Sequence, residues 1–203
     1  MRTHMARRTV LAAALMVVLL VQRPAHALVT IMGEGMAKKC FEAAEAVTKG
    51  RAYFTTMVSG VTLASPVELC SMALTEPLNV HDRAGTLVNR GVLQFEQAKY
   101  DVALQDFDDA IRISPSLGEA HSNRGAALVG MQKWEAGIVS ITKGIEMDAA
   151  EMEKSYYNRA LAYEAIGNVK GAYYDFMKAS ELAPAWELPK TQLARFSVKK
   201  PAE

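Results

Sequence analysis

Apolar residues recur at helical spacing through most of the chain, and the pattern is clearest between residues 82 and 184. There, short polar stretches divide it into three pairs of amphipathic segments. Pro115 and Pro184 end the second segment of the first and third pairs, because proline lacks the N–H that a helix requires. The pattern predicts three helical hairpins, with helices over residues 84–97, 100–113, 118–131, 134–147, 153–166 and 169–182.

The three hairpins are copies of one sequence unit. The tripeptide Asn-Arg-Gly at residues 89–91 returns at 123–125 and, as Asn-Arg-Ala, at 158–160, at steps of 34 and 35 residues. Five further sets of positions keep this register: Tyr100, Trp134 and Val169; Ala103, Gly137 and Ala172; Phe107, Ile141 and Phe176; Ala110, Gly144 and Ala179; Pro115, Ala149 and Pro184. A period of about 34 residues is typical of tetratricopeptide helix-turn-helix arrays. Residues 82–184 resemble a tetratricopeptide repeat protein.

This resemblance implies an all-α fold, a right-handed superhelical solenoid with repeats at about residues 82–115, 116–150 and 151–184. The small residues of each repeat let the two helix backbones approach closely, and its large apolar residues fill the core. The middle hairpin has glycine at residues 125, 137 and 144, and each helix-interior glycine costs about 1 kcal/mol relative to alanine. We therefore expect Gly144→Ala, which copies Ala110 and Ala179, to raise the melting temperature.

The segment before the array, residues 28–81, contains both cysteines. Cys40 and Cys70 each lie in a stretch with helical spacing, so residues 37–78 resemble a degenerate repeat with a longer connector over residues 50–66. In an antiparallel hairpin the two cysteines face each other, and we expect a disulfide; the alternative is two buried thiols. We expect no metal site, because His81 and His121 do not fall at ligand spacing with the cysteines.

The two ends of the chain differ in character from the array. Residues 185–203 contain Trp186, Leu188, Leu193 and Phe196 and are expected to form a capping helix, followed by a frayed end from Ser197.

Residues 1–27 have the features of a secretory signal peptide: two adjacent arginines, an apolar run over residues 10–21, and Ala-His-Ala at 25–27. The run is shorter than the ~20 residues that span a bilayer, so we expect cleavage after Ala27 rather than an anchor. The predicted location is periplasmic or secreted.

Charge narrows the range of partners. The whole chain has 23 basic and 22 acidic residues, and the predicted signal peptide holds four of the basic residues and none of the acidic ones. The mature chain therefore has 19 basic and 22 acidic residues, a net charge of −3. A mildly acidic chain without basic clusters argues against nucleic-acid or membrane binding after signal cleavage. No nucleophile, phosphate-binding or redox motif is recognisable, so we predict neither an enzyme nor a cofactor.

The resemblance places the recurring asparagines, Asn89, Asn123 and Asn158, on the concave surface of the superhelix. An asparagine there is similar to the ladder with which some members of the family hold an extended peptide, since an amide can both donate and accept a hydrogen bond. The alternative is that these residues only order the neighbouring repeat. The other expected groove residues are Val88, Val92, Ser122, Ala126, Tyr157 and Leu161, with Tyr157 as the anchor.

The sequence thus predicts a protein–protein interaction module with an unidentified protein or peptide partner. Chaperone-adaptor members of the family hold a terminal carboxylate, but their asparagine follows the motif glycine, where this chain has Val92 after Gly91. Only Asn123, in the second repeat, matches the pattern of that clamp, so a terminal-carboxylate reader is not favoured. The alternatives are a self-associating structural component, hence a homo-oligomer, or an accessory subunit of a periplasmic complex or enzyme.

Overall fold

Helical hairpins stacked in sequence order make up the fold. The computed structural model describes residues 5–7, 27–28, 35–50 and 64–198. Within those residues it has nine helices and one short two-stranded pairing: β1 (Met5–Arg7), α1 (Met36–Thr48), α2 (Pro66–Ala73), α3 (Val80–Glu96), α4 (Tyr100–Ile113), α5 (Gly118–Gly130), α6 (Trp134–Glu146), α7 (Met152–Ala165), α8 (Val169–Leu182), α9 (Glu187–Leu193) and β2 (Phe196–Val198). Each helix packs on its neighbours along the chain, and α3, α5 and α7 also contact one another in order. This confirms the predicted all-α solenoid.

The predicted helices agree closely with the observed ones. Helices α4 and α8 begin and end at the predicted residues, and the ends of α5, α6 and α7 differ by one residue at most. Helix α3 starts four residues earlier than predicted, at Val80, because Asn79 caps it. The Asn79 Oδ1 accepts a hydrogen bond from the backbone N–H of Asp82 at 2.8 Å, which satisfies one of the free donors of the first turn. No described helix is long and apolar enough to cross a membrane.

The turn inside each of the three hairpins has one geometry despite different residues. Ala98, Gln132 and Gly167 occupy the same register and all have positive φ, at 59°, 61° and 79°. In each case the next N–H returns to a carbonyl five residues earlier, at 2.8–3.0 Å. This left-handed closure satisfies the last carbonyls of the first helix. It also sets the direction in which the second helix leaves.

Small residues between paired helices bring the two backbones close together, as predicted. A methyl group at Gly91 would lie 2.6 Å from the Phe107 ring. A methyl group at Gly125 would lie 2.8 Å from the backbone nitrogen of Ile141. At Gly125 the space is bounded by both the Ile141 side chain and the backbone of the second helix, whereas at Gly91 it is bounded by the Phe107 ring. Phe107, Ile141 and Phe176 are fully buried, which confirms them as core residues.

Gly144 corrects the expectation drawn from helix propensity. A Cβ at this position would lie 2.1 Å from the Ser122 Oγ and 2.8 Å from both the Gly118 carbonyl oxygen and the Ser122 nitrogen. Two of these three atoms belong to the backbone of α5, which cannot move aside as a side-chain tip can. The predicted gain from Gly144→Ala is therefore wrong in sign, because the steric cost exceeds the propensity gain of about 1 kcal/mol.

The disulfide prediction is confirmed. Cys40 in α1 and Cys70 in α2 form a disulfide across the first hairpin, with their Cα atoms 4.6 Å apart. Both cysteines are fully buried in a cluster with Ala44 and Leu93. Leu93 belongs to α3, so the crosslinked hairpin packs directly on the array. The expected connector lies mostly at residues 51–63, outside the described residues.

The C-terminal cap covers the last hairpin as predicted. Trp186, Leu193 and Phe196 pack against the cluster around Tyr157 and Phe176. The expectation of fraying from Ser197 is wrong for Ser197 and Val198, which form β2 with Phe196 and pair antiparallel with β1. The partner strand lies within the predicted signal peptide, so a processed chain lacks it. Residues 199–203, like most of residues 1–26, lie outside the described part of the chain.

We expect Gly144→Ala to lower the melting temperature, with a loss in the free energy of unfolding of about 1–3 kcal/mol because overpacking strains the α5–α6 contact. Thermal unfolding followed by circular dichroism measures it. In the double variant Ser122→Ala, Gly144→Ala, the clash with the hydroxyl is gone but the two backbone clashes remain, so recovery should be partial. An unchanged or higher melting temperature for the single variant contradicts this packing.

Removing the crosslink with Cys40→Ala, Cys70→Ala should lower the free energy of unfolding by about 3–4 kcal/mol, since the bond closes a loop of 30 residues in the unfolded chain. Chemical denaturation of the oxidised wild type, the reduced wild type and the variant measures this loss. The reduced protein and the variant should unfold at similar denaturant concentrations. Equal stability of the oxidised and reduced wild type would refute the stapling role.

A candidate peptide groove on the first helices

Asn123 holds the backbone of a distant segment of the same chain. Its Oδ1 accepts a hydrogen bond from the Ala27 N–H at 2.9 Å, and its Nδ2 donates to the Ala27 carbonyl oxygen at 2.5 Å. The two residues are 96 positions apart in sequence, and both are almost fully buried. N–H and C=O of one residue point to the same side only when the backbone is extended. One carboxamide therefore pairs with both backbone groups of an extended residue of the same chain, which is the type of hydrogen bonding that a ladder asparagine requires.

The residue after Ala27 joins this contact to the core. Leu28 packs against the main cluster of the array, which includes Val88, Val92 and Ala126, and also against the cluster around the disulfide. The Ala27–Leu28 dipeptide thus lies between the first hairpin and the first helices of the array. The cluster that it packs against includes three of the positions predicted to line a groove.

Asn89 and Asn158 lie at the matching positions of α3 and α7. Their side chains are buried to 0% and 2% exposure, and neither is without a partner. The three asparagines form a row along the three first helices, one per repeat. Asn123 makes the two backbone hydrogen bonds that such a row requires. It stays a prediction that all three asparagines hold the backbone of a ligand.

The remaining predicted groove residues are less accessible than expected. Val88, Val92 and Ala126 are fully buried, Leu161 is partly buried, and Ser122 accepts a hydrogen bond from the Ser155 hydroxyl at 3.0 Å. Ser122 therefore links α5 to α7 in this structure. Its contact with a ligand stays a prediction.

Tyr157, the expected anchor, is a core residue in this structure. Its ring packs edge-on against Phe176 at 5.5 Å and tilted against Trp186 at 4.9 Å between ring centroids. Its hydroxyl is buried and has no hydrogen-bond partner among the described residues. Burial raises the pKa of Tyr157 to about 12. The C-terminal cap covers the surface that a ligand would need to reach, so Tyr157 presents no face for anchoring here.

The arginines beside Asn89 and Asn158 tie the two helices of a hairpin together. Arg90 makes a bidentate ion pair with Asp106, at 2.6 and 2.9 Å, and Arg159 makes the same pair with Asp175, at 2.7 and 3.0 Å. The hydrogen bond to Asp106 raises the pKa of Arg90, and burial raises the pKa of Asp106. Both pairs join the first helix of a hairpin to its second.

Sequence reasoning missed these pairs, although a signal was present. Asp106, Ser140 and Asp175 keep the repeat register, and the arginines precede them by 16 residues in each hairpin. Because the middle hairpin has Ser140 here, Arg124 instead pairs with Asp108 of the preceding hairpin, at 2.6 Å. Arg124 also donates a hydrogen bond to the Ser140 hydroxyl at 3.5 Å. Arg90 and Arg159 each donate a further hydrogen bond to the preceding hairpin, to Ser71 at 3.1 Å and to Thr142 at 3.0 Å. The middle repeat therefore differs in the position of its ion pair, which lies between hairpins.

The described residues hold no group of three or more His, Cys, Asp or Glu side chains that could bind a metal ion. His121 is partly buried, with its Nε2 2.9 Å from the carbonyl oxygen of Pro115. The groove accordingly offers amide hydrogen bonds and apolar contacts, the chemistry of peptide recognition.

Comparisons with known proteins agree with this architecture. Residues 153–185 match the family model of the tetratricopeptide repeat. The second tetratricopeptide domain of human RPAP3, solved with the HSP70 peptide SGPTIEEVD, superposes with a TM-score of 0.52 at 25% identity, covering 57% of this chain and 96% of that one. The fold is a tetratricopeptide repeat solenoid.

Two further comparisons define how far the likeness extends. MamA from Desulfovibrio magneticus RS-1 superposes over 80% of this chain and 84% of its own, with a TM-score of 0.56 at 16% identity, which shows the fold alone. The human mitochondrial import receptor subunit TOM70 is 32% identical over 103 residues, 48% of this chain. This chain spans only 17% of the length of that receptor subunit, so the likeness is one of the repeat region.

We expect Tyr157→Phe to stabilise the protein by about 1 kcal/mol, because it removes a buried hydroxyl that lacks a partner. The folded pKa of about 12 lies above the value of ~10 for an unfolded chain, so folding favours the neutral phenol. The free energy of unfolding of the wild type is therefore unaffected by this titration below pH ~10. It falls as the pH rises from about 10 towards 12, because the unfolded chain loses the phenol proton first. The variant should not show this loss.

Chemical denaturation at pH 7 and across pH 9–12 measures both effects. Tyr156→Phe is the matched control, because Tyr156 is its neighbour in α7 and only partly buried. It should change stability by less than ~0.5 kcal/mol and keep the alkaline slope of the wild type. A loss of stability in Tyr157→Phe would show that the hydroxyl is paired.

Proposed function

We propose that this protein is an exported interaction module that binds an extended segment of a partner protein along the first helices of its array. The observation that carries the proposal is the pairing of one buried carboxamide, that of Asn123, with both the N–H and the C=O of Ala27. This pairing recognises a peptide backbone whatever its side chains. A binding surface made this way suits a segment chosen mainly by shape and apolar contact.

The surroundings of Asn123 make its hydrogen bonds effective. The side chain of Asn123 is 1% exposed, and in a buried site each hydrogen bond is stronger than in water and an unmade one costs about 1–3 kcal/mol. The pairing of the amide with both an N–H and a C=O favours a backbone ligand over a terminal carboxylate, which has no N–H to donate. The RPAP3 domain, of the same fold, was solved with a bound peptide, which supports peptide binding as the class of activity.

Export is part of the proposal. The N-terminal arginines, the apolar run and the Ala-His-Ala sequence together favour a signal peptide ending at Ala27. The Cys40–Cys70 disulfide is consistent with an oxidising compartment, the periplasm or the exterior. We assign no catalytic role, since the groove brings together amides and aliphatic groups rather than acids, bases or nucleophiles.

The test is a selection of peptides from a random library on the processed chain, which begins at Leu28, followed by affinity measurements on the enriched peptides. Asn123→Ala should weaken their binding about tenfold to a hundredfold, because two hydrogen bonds in an apolar site are lost. Asn89→Ala and Asn158→Ala should each weaken the longer ligands. Circular dichroism and thermal unfolding establish that every variant is folded.

Asn168→Ala is the matched control. Asn168 is exposed and caps α8, its Oδ1 accepting a hydrogen bond from the Gly171 N–H at 3.0 Å, so its replacement costs stability outside the groove. It should leave peptide affinity unchanged. Failure to enrich any peptide, or equal affinity of the wild type and folded Asn123→Ala, would refute the proposed groove.

A further inference from the structure

The residue held by Asn123 is also the residue after which cleavage is predicted. Ala27 completes the Ala-His-Ala sequence of the predicted signal peptide, and its N–H and C=O are both bound in the groove. These two features come from independent observations, one from the sequence and one from the geometry. Their coincidence connects processing of the chain to the state of its binding site.

The geometry points to an internal ligand: the Ala27–Leu28 segment of the unprocessed chain occupies the groove and competes with partner peptides. Cleavage after Ala27, which takes place when the segment is out of the groove, prevents its return. This inference rests on the proposed function. It adds which kind of peptide the groove binds and proposes that cleavage controls when that peptide can enter. A tethered occupant acts at an effective concentration in the millimolar range. It therefore excludes any partner that binds only moderately well.

Cleavage after Ala27 frees the groove of both Ala27 and Leu28. Removing Ala27 takes away the two groups that Asn123 holds. Leu28 then becomes the N-terminal residue, and its new α-ammonium group stands where the Ala27 carbonyl was bonded. Because Leu28 packs between two apolar clusters, a charge at this place opposes its burial and favours its departure into solvent. The groove of the processed chain is then free at Asn123.

The internal occupant also defines the ligand class. Ala27 is 2% exposed, so the position opposite Asn123 has room for a small side chain. The following position takes an aliphatic side chain, since Leu28 packs against two apolar clusters, the one that includes Val88 and the one around the disulfide. The expected partner segment is an extended peptide with a small residue followed by an aliphatic one and no required charge.

The experiment measures one probe on one sample before and after processing. The full chain is purified in a mild nonionic detergent, cleaved with signal peptidase, and freed of the peptidase; N-terminal sequencing confirms that the product begins at Leu28. The probe is a fluorescent peptide of residues 24–31, PAHALVTI, followed by anisotropy. Its matched control is the same peptide N-methylated at the residue equivalent to Ala27, which has no N–H to donate.

We expect the processed chain to bind the probe at least about tenfold more tightly than the full chain, as a millimolar internal competitor requires for a probe with a dissociation constant near 0.1 mM. The methylated peptide should bind neither. Ala27→Pro in the full chain removes the N–H without cleavage, and it should bind the probe as well as the processed chain does. Asn123→Ala in the processed chain should lose the probe.

Equal binding by the full and processed chains would overturn the internal occupant, while loss of that binding in Asn123→Ala would leave the proposed function intact. Absence of probe binding in a processed chain that still binds library-selected peptides would overturn the ligand class. If neither the probe nor any library peptide binds, the proposed function fails together with this inference. The three results are distinct.

Discussion

Close approach of paired helices is the constraint on which the rest of this structure depends. Each hairpin buries its apolar face only against its neighbours, so the array holds together only if successive backbones reach contact distance. Gly91 makes room for the Phe107 ring, and Gly125 brings its helix against the backbone of Ile141. The spacing of the first helices, and with it the row of Asn89, Asn123 and Asn158, follows from these contacts.

The periodic part of the fold was predictable, because each helix is specified by its own residues. Proline at the ends of hairpins, apolar spacing and the 34–35-residue register placed α4 and α8 to the residue. The disulfide was predictable too, since two cysteines at helical positions of one hairpin have few other ways to pack. What failed was the reasoning from propensity at Gly144, because a propensity scale holds no information on the backbone of Ser122 across the interface.

The candidate site was only partly accessible to sequence reasoning. The asparagines were found by their register, but their burial and the position of Tyr157 depend on long-range packing by Trp186 and on a segment 96 residues away. The bidentate Arg90–Asp106 and Arg159–Asp175 pairs could have been found from their constant separation of 16 residues. The Arg124–Asp108 link between hairpins, formed where Ser140 replaces the aspartate, depends on how neighbouring hairpins stack, which the sequence pattern does not specify.

An amide buried among apolar side chains constrains what can occupy the space before it. Left without partners, the Asn123 side chain would cost about 1–3 kcal/mol, so the folded chain favours states in which a donor and an acceptor are placed opposite it. An extended backbone supplies both within one residue, whereas an apolar side chain supplies neither. The same energetics explain why the backbone of Ala27 lies opposite Asn123, and they are the reason for proposing that the backbone of a partner can take its place.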